Sequence, residues 1–109
     1  MEIMEESDYH IEADKALDDL LEFLEKSEES YDIEPELESG VLSVIMPDDS
    51  EYVINKHTPS RQIWVSSPFT GAGYFEFDGK NWLPKRSEAA QGQSLFNFIT
   101  SEITKKLDE

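Results

Sequence analysis

The first third of the chain spaces its apolar residues with the period of an α-helix. One face of this helix is formed by Ala13, Leu17, Leu20 and Leu24. We predict a helix from about Asp8 to Ser27, with Ser7 as its N-cap. The opposite side carries carboxylates within a sector of about 80°, at about 100° per residue. This acidic ridge consists of Asp14, Asp18, Glu22, Glu25 and Glu29.

The next segment, residues 32–38, alternates acidic and nonpolar residues with period two, which indicates a strand with one wet face. A second acidic row is therefore expected beside the ridge. Pro35 has no N–H to donate to a neighbouring strand, so this strand should be short and lie at a sheet edge.

From Gly40 onward, short apolar runs separated by turn residues are typical of an antiparallel meander. The predicted strands are Val41–Met46, Tyr52–Lys56, Arg61–Ser66, Tyr74–Asp78 and Trp82–Leu83. Pro68–Gly73 is predicted to be a turn, His57 a loop residue and Lys85–Gln93 irregular.

Ser94 is predicted to cap a second helix. Its apolar positions repeat every four residues, at Leu95, Ile99, Ile103 and Leu107. Two amphipathic helices can cover one face of a sheet and leave the other face in water. The expected fold is an α+β, two-layer α-β sandwich, with N- and C-terminal helices on one face of an antiparallel sheet of five to seven strands. Residues 1–109 should form a single domain in which residues 1–7 are flexible.

Strand alternation predicts which side chains face the water. If Ile63 and Val65 point towards the helices, then Gln62, Trp64 and Ser66 point away from them. The same argument places Asn55 and Tyr74 on the wet face. Trp82, which is followed by Leu83 and lies in a predicted hairpin, is expected in the core. An exposed tryptophan is a common anchor of protein interfaces, so this face is a candidate docking surface.

Charge separates the chain into two unequal parts. The 109 residues contain 25 Asp and Glu against 9 Lys and Arg, a formal net charge of -16. Residues 1–38 hold 16 of the acidic residues and two lysines, a net charge of -14. Such a field opposes nucleic acid and anionic membranes as partners. No apolar run approaches the roughly 20 residues that span a bilayer, and residues 1–10 are acidic where a transit peptide would be basic.

The chain contains no cysteine, so any metal must be held by carboxylate or imidazole groups. Exposed carboxylates suit hard cations such as Fe²⁺, Fe³⁺, Mn²⁺, Ca²⁺ and Mg²⁺, and their affinity should be low. His10 precedes Asp14 by four residues and could share a site with it. From the residues alone, a merely solvated acidic face is the favoured interpretation, because charge runs usually serve only that purpose. No catalytic triad or phosphate-binding loop is present, so an ordinary enzyme is not expected.

One segment resembles a known family. Asn55-Lys56, Pro59 and Gln62-Ile63-Trp64, followed by Ser67-Pro68, form a specific signature that is similar to frataxins, especially the eukaryotic ones. The acidic first helix and Gly79-Lys80-Asn81-Trp82 extend the resemblance over residues 9–107. One departure concerns the stretch Gly71-Ala72-Gly73-Tyr74, where Tyr74 occupies the position of a family arginine that reaches towards a scaffold protein.

The resemblance implies a protein of the mitochondrial matrix, with its transit peptide absent from this sequence. It implies weak Fe²⁺/Fe³⁺ binding without an organic cofactor, and an accessory role in iron–sulfur cluster assembly. The partners would be a cysteine desulfurase and the iron–sulfur scaffold protein, whose sulfur transfer the protein activates. The alternative is iron storage or detoxification with ferroxidase activity in an iron-induced oligomer rather than a monomer.

Site residues are carried over from the resemblance by position. The metal-binding candidates are His10, Asp14, Asp18, Asp19, Glu22, Glu25, Glu29, Asp32, Glu34 and Glu36. The partner-binding candidates are Asn55, Lys56, Gln62, Ile63, Trp64 and Tyr74.

Overall fold

A computed structural model describes residues 4–109 of the chain. In this part of the chain, two helices flank six strands and a short 3₁₀ turn at Thr58–Ser60. In chain order the main elements are α1 (Glu6–Ser27), β1 (Glu34–Glu38), β2 (Val41–Ile45), β3 (Glu51–His57), β4 (Gln62–Ser67), β5 (Gly71–Phe77), β6 (Trp82–Arg86) and α2 (Leu95–Leu107). Neither helix is long and apolar enough to cross a membrane.

The six strands form one antiparallel sheet in the order β1-β2-β3-β4-β5-β6. Both helices pack on the same face, and the predicted two-layer α+β sandwich is confirmed. Strand β1, which contains Pro35, is short and lies at an edge, as its missing N–H requires. Within residues 4–109 no helix covers the opposite face of the sheet, and we call it the open face.

The core lies between the helices and the sheet. Leu17, Leu20 and Leu24 of α1 are buried, as the helical spacing predicts, and so are Ile99 and Ile103 of α2. The sheet contributes alternate residues of its strands to the same core: Leu42, Val44, Tyr52, Ile54, Ile63, Val65 and Phe75. Trp82 is also buried, at 6% exposure, which confirms the prediction that it belongs to the core.

Helix α1 begins earlier than predicted, because Tyr9 anchors its first turn. Glu5 is the N-cap, and Ser7 lies inside the helix, so the prediction of a Ser7 cap is wrong. The Tyr9 ring is fully buried, and its hydroxyl donates a 2.7 Å hydrogen bond to the Gln62 carbonyl. Residues 1–3, part of the segment expected to be flexible, lie outside the described residues, and that expectation stays a prediction.

Three strand boundaries also differ from the sequence interpretation. Strand β5 starts at Gly71 within the predicted turn, since Ala72 and Gly71 pair with the end of β4. Strand β6 continues through Lys85 and Arg86, which were expected to be irregular. His57 is the last residue of β3 rather than a loop residue, because it pairs with Gln62.

Candidate functional site

Directly opposed residues of neighbouring strands form a continuous row across the open face. Five strands contribute to it in order, and we call it the cross-strand row: Val41, Asn55, Trp64, Tyr74 and Arg86. Val41 and Trp64 are exposed hydrophobic side chains, with 40% and 41% of their surface accessible. The register thus confirms that Asn55, Trp64 and Tyr74 share a face, and it adds Val41 and Arg86.

Trp64 is held in a fixed orientation at the centre of this row. The His57 ring stacks on it at 3.9 Å between centroids, with 8° between the planes. The indole Nε1 donates a 2.8 Å hydrogen bond to Gln62 Oε1. Tyr74 packs on the other side, with ring centroids 6.2 Å apart. An exposed aromatic side chain that is already ordered loses little conformational entropy when it binds a partner.

Gln62 was expected to be exposed, and it is instead buried, at 9% exposure. It does lie on the open face, opposite Glu76, but polar neighbours cover its amide. Ser60 Oγ donates to its Oε1 at 2.9 Å, and its Nε2 donates to Glu76 Oε2 at 2.9 Å. Gln62 therefore holds the Trp64 indole in place through its hydrogen bond and has little accessible surface for a partner.

Two other partner-binding candidates face the helices. Ile63 is fully buried in the core, because strand alternation turns it away from Trp64, and it presents no side-chain surface on the open face. Lys56 is opposite Ile63 in the register, and its side chain is only 14% exposed. Its Nζ lies 2.7 Å from Asp14 Oδ1 on α1. Lys56 thus connects the sheet to the acidic ridge.

A shallow depression of about 410 Å³ lies on the open face beside Trp64. Trp64, Tyr74 and Arg86 line it together with the small residues Ala72 and Gly73. Its walls combine aromatic rings with one guanidinium group. An apolar side chain of a partner fits such a lining, with a polar contact at the Arg86 end.

The metal-binding candidates lie on the surface. All nine carboxylates are exposed, and His10 is partly buried. Several already have partners: Lys15 is 3.2 Å from Asp19, and Lys26 is 3.3 Å from Glu22. Within residues 4–109, no three His, Asp or Glu side chains converge in a geometry that could hold a metal ion. The ridge is a charged surface rather than a preformed metal cavity.

His10 does not pair with Asp14 in this arrangement. Its Nε2 lies 3.7 Å from Glu6 Oε2, one helical turn towards the N-terminus. Its Nδ1 is buried and lacks a hydrogen-bond partner among the described residues. The imidazole packs against the buried Tyr9 ring, at 5.3 Å between centroids.

The acidic row of β1 lies on a different layer from the ridge. Glu36 is opposite Ser43, whose neighbours Leu42 and Val44 face the core, so Glu34 and Glu36 point to the open face. The helical ridge lies on the outer side of α1. Glu29 follows the C-cap Glu28 and is not part of the helix. The two rows are therefore separate surfaces.

Besides Val41, two further residues of the open face, His57 and Arg86, were missed by sequence reasoning. His57 gives no periodic signal, because its stacking depends on the end of β3. Arg86 was assigned to an irregular segment. The apolar residues and the two basic residues of Trp82–Arg86 could have indicated an edge strand with polar side chains facing the water.

The chain is thus an acidic α+β sandwich with both helices on one face of the sheet and an exposed aromatic row on the other. The model of the frataxin-like domain family matches residues 2–109. The chain therefore belongs to the frataxin-like domain family.

Individual relatives agree with this assignment. The mitochondrial frataxin homologue of Saccharomyces cerevisiae is 38% identical over 93% of this chain and 58% of its own length. Mitochondrial frataxin of Dictyostelium discoideum is 40% identical over 78% of this chain and 43% of its own length. This chain thus spans about half the length of the curated relatives it matches. A crystal structure of trimeric yeast frataxin, complexed with ferrous iron, superimposes with a TM-score of 0.77 at 33% identity, covering 100% of this chain and 91% of that one.

Proposed function

We propose that this protein is an accessory protein of iron–sulfur cluster assembly that docks through its open face on a complex of a cysteine desulfurase and a scaffold protein. Docking would activate sulfur transfer to the scaffold. The protein itself would act as a non-catalytic activator, and Asn55, Trp64 and Tyr74 would make the contacts.

One observation carries this proposal: the exposed, ordered Trp64 at the centre of the cross-strand row. A fold that only needed a stable sheet gains little from an indole with 41% of its surface in water. The stacked His57 ring and the hydrogen bond that the indole donates to Gln62 keep the indole in place for a partner. Tryptophans in such settings often supply a large part of the binding energy of an interface.

The test compares two exposed aromatic residues on opposite layers. Trp64→Ala should lower the stimulation of a purified desulfurase–scaffold complex at least tenfold, as expected for an interface anchor. The matched control is Phe96→Ala on α2, because Phe96 has nearly the same exposure, 42%. Equal loss of stimulation in both variants, with both still folded, would contradict docking through the open face.

Weak Fe²⁺ binding along the acidic ridge is the second part of the proposal. A net charge of -14 within residues 1–38 attracts cations, and exposed carboxylates are hard oxygen ligands. The ferrous complex of the yeast relative supports this part. Iron would be cargo held at low affinity, for delivery to the assembly complex.

A second candidate function is iron storage with ferroxidase activity in an oligomer. The trimeric state of the yeast relative favours it. Stimulation of the desulfurase by the monomer separates the two functions, since storage requires assembly and activation does not. The mitochondrial names of the relatives support a mitochondrial location for this protein.

A further inference from the structure

A β-bulge at the end of the sheet determines which basic residue faces the aromatic row. Along β6, Leu83 is opposite Glu76 and Pro84 is opposite Phe75. The register then shifts by one residue, and Arg86 instead of Lys85 is opposite Tyr74. Bulges re-aim side chains in this way, because the extra residue exchanges the two faces of the strand. Without the shift, Arg86 would face the helix layer.

Gly73 makes room for this arrangement. A Cβ atom at position 73 would lie 2.7 Å from the Arg86 carbonyl oxygen and 2.8 Å from Ser87 Cβ. Distances below 3.0 Å are not tolerated against backbone atoms, so any other residue would push the end of β6 away. The glycine and the bulge together place Arg86 on the open face.

Arg86 is also free to bind. Five of the nine basic residues of the chain, including Lys56 and Lys106, take part in ion pairs within residues 4–109. Arg86 is exposed and has no ion pair or side-chain hydrogen bond in that part of the chain. The protein has a net charge of -16 and only nine basic residues. It nevertheless leaves one guanidinium unpaired beside the depression on the open face, which is unusual.

We infer that Arg86 is a specificity-determining residue of the open face, which binds a carboxylate of a partner protein. An apolar side chain beside that carboxylate enters the depression next to Trp64 and Tyr74. This inference rests on the proposed docking function and names the chemistry of its partner surface. A guanidinium offers a planar fork that matches a carboxylate with two hydrogen bonds. A polyanion should bind poorly at Arg86, because the negative field of the whole protein repels it strongly. A single carboxylate carries one negative charge, so the same field repels it much less.

The decisive experiment measures binding of four proteins to a purified cysteine desulfurase–scaffold complex: the unaltered chain, Arg86→Gln, Arg86→Lys and Lys105→Gln. Lys105 is the matched control, since it is an exposed cation without an ion pair in the described chain and lies on α2. We expect Arg86→Gln to weaken binding at least tenfold and Lys105→Gln less than threefold. Arg86→Lys should restore binding only partly, because an ammonium group keeps the charge and loses the fork.

The outcomes separate the inference from the function on which it rests. Equal effects of Arg86→Gln and Lys105→Gln, with tight binding by the unaltered chain, would refute the role of Arg86 and leave docking intact. Full binding by Arg86→Lys would refute recognition by the fork. Absence of binding by the unaltered chain would refute both proposals. Gly73→Ala, checked for folding by circular dichroism, should reproduce the loss seen in Arg86→Gln, since it displaces the strand end that carries the arginine.

Discussion

A single carboxylate ties helix α2 to the sheet, and its removal should destabilise the fold strongly. Glu102 Oε1 accepts hydrogen bonds from Tyr52 Oη at 2.6 Å and from Ser67 Oγ at 2.5 Å, and Oε2 accepts one from Thr70 Oγ1 at 2.9 Å. Tyr52 is fully buried, and its hydroxyl loses this hydrogen bond when the carboxylate is removed. Hydrogen bonds to charged groups contribute about 1.5–3 kcal/mol each, and bonds that share one acceptor are not additive.

We therefore expect Glu102→Ala to lower the free energy of unfolding by about 3 kcal/mol, a large part of the roughly 5–15 kcal/mol of a small domain. At about 4–8 °C for each kcal/mol in a chain of this size, the melting temperature should fall by about 12–24 °C. Urea unfolding and thermal melts followed by circular dichroism measure both quantities. Glu88→Ala is the matched control, because Glu88 is exposed and its carboxylate makes no hydrogen bond or ion pair within residues 4–109.

A double-mutant cycle with Tyr52→Phe tests the cause of the loss. The effects of Glu102→Ala and Tyr52→Phe should be less than additive by about 1 kcal/mol or more, because both remove the same hydrogen bond. A loss in Glu102→Ala no larger than that in Glu88→Ala would refute the argument. Strict additivity in the cycle would show that the Tyr52 bond does not contribute.

Three further predictions concern the indole, the buried phenols and the ridge. Trp64→Ala should lower the free energy of unfolding by less than about 2 kcal/mol, as thermal melts would show, since the indole is partly exposed and loses one stack and one hydrogen bond. Burial raises the pKa of Tyr9 to about 12 and also raises the pKa of Tyr52. The folded state thus keeps these phenol protons above pH 10, so the free energy of unfolding should be unchanged below pH 10 and fall as the pH rises towards 12. Thermal melts at alkaline pH should show a shallower fall for Tyr9→Phe. An unchanged slope in this variant would contradict the raised pKa of Tyr9 as a cause. Replacing Asp18, Glu22 and Glu25 by their amides should weaken Fe²⁺ binding in calorimetry and raise the melting temperature, because the ridge repels itself; a lower melting temperature would show that its ion pairs stabilise the fold.

Strand alternation was sufficient to place the main residues of the open face. Because side chains alternate strictly along a strand, burial of Ile63 and Val65 forces Trp64 to the other side. The same rule correctly placed Asn55 and Tyr74 on the open face. The two helices followed from their apolar spacing, and the edge position of β1 followed from Pro35. These features depend on local periodicity, which a sequence displays directly.

The remaining features depend on contacts between distant segments. The burial of Gln62 results from hydrogen bonds with Ser60, Trp64 and Glu76, which alternation does not report. The position of Arg86 depends on a register shift in β6, and period-two reasoning assigns a residue beyond such a shift to the wrong face. The early start of α1, by contrast, could have been predicted from the sequence, because Tyr9 precedes Ala13 by four residues, as Ala13 precedes Leu17.

The ion pair between Asp14 and Lys56 connects the acidic ridge to strand β3, and its strength limits the effect that bound iron can have on docking. Lys56 Nζ lies 2.7 Å from Asp14 Oδ1, and Lys56 follows Asn55 of the cross-strand row. A cation bound at Asp14 would compete with Lys56 and release its side chain near Asn55. Ion pairs near a surface contribute at most about 1 kcal/mol, which corresponds to about fivefold in affinity, and linkage makes the effect reciprocal. Saturating Fe²⁺ should therefore change the affinity for the desulfurase–scaffold complex by no more than about fivefold through this route, and Lys56→Met should abolish the change. A much larger effect of Fe²⁺ that persists in Lys56→Met would show that iron acts through direct contacts between the ridge and the partner.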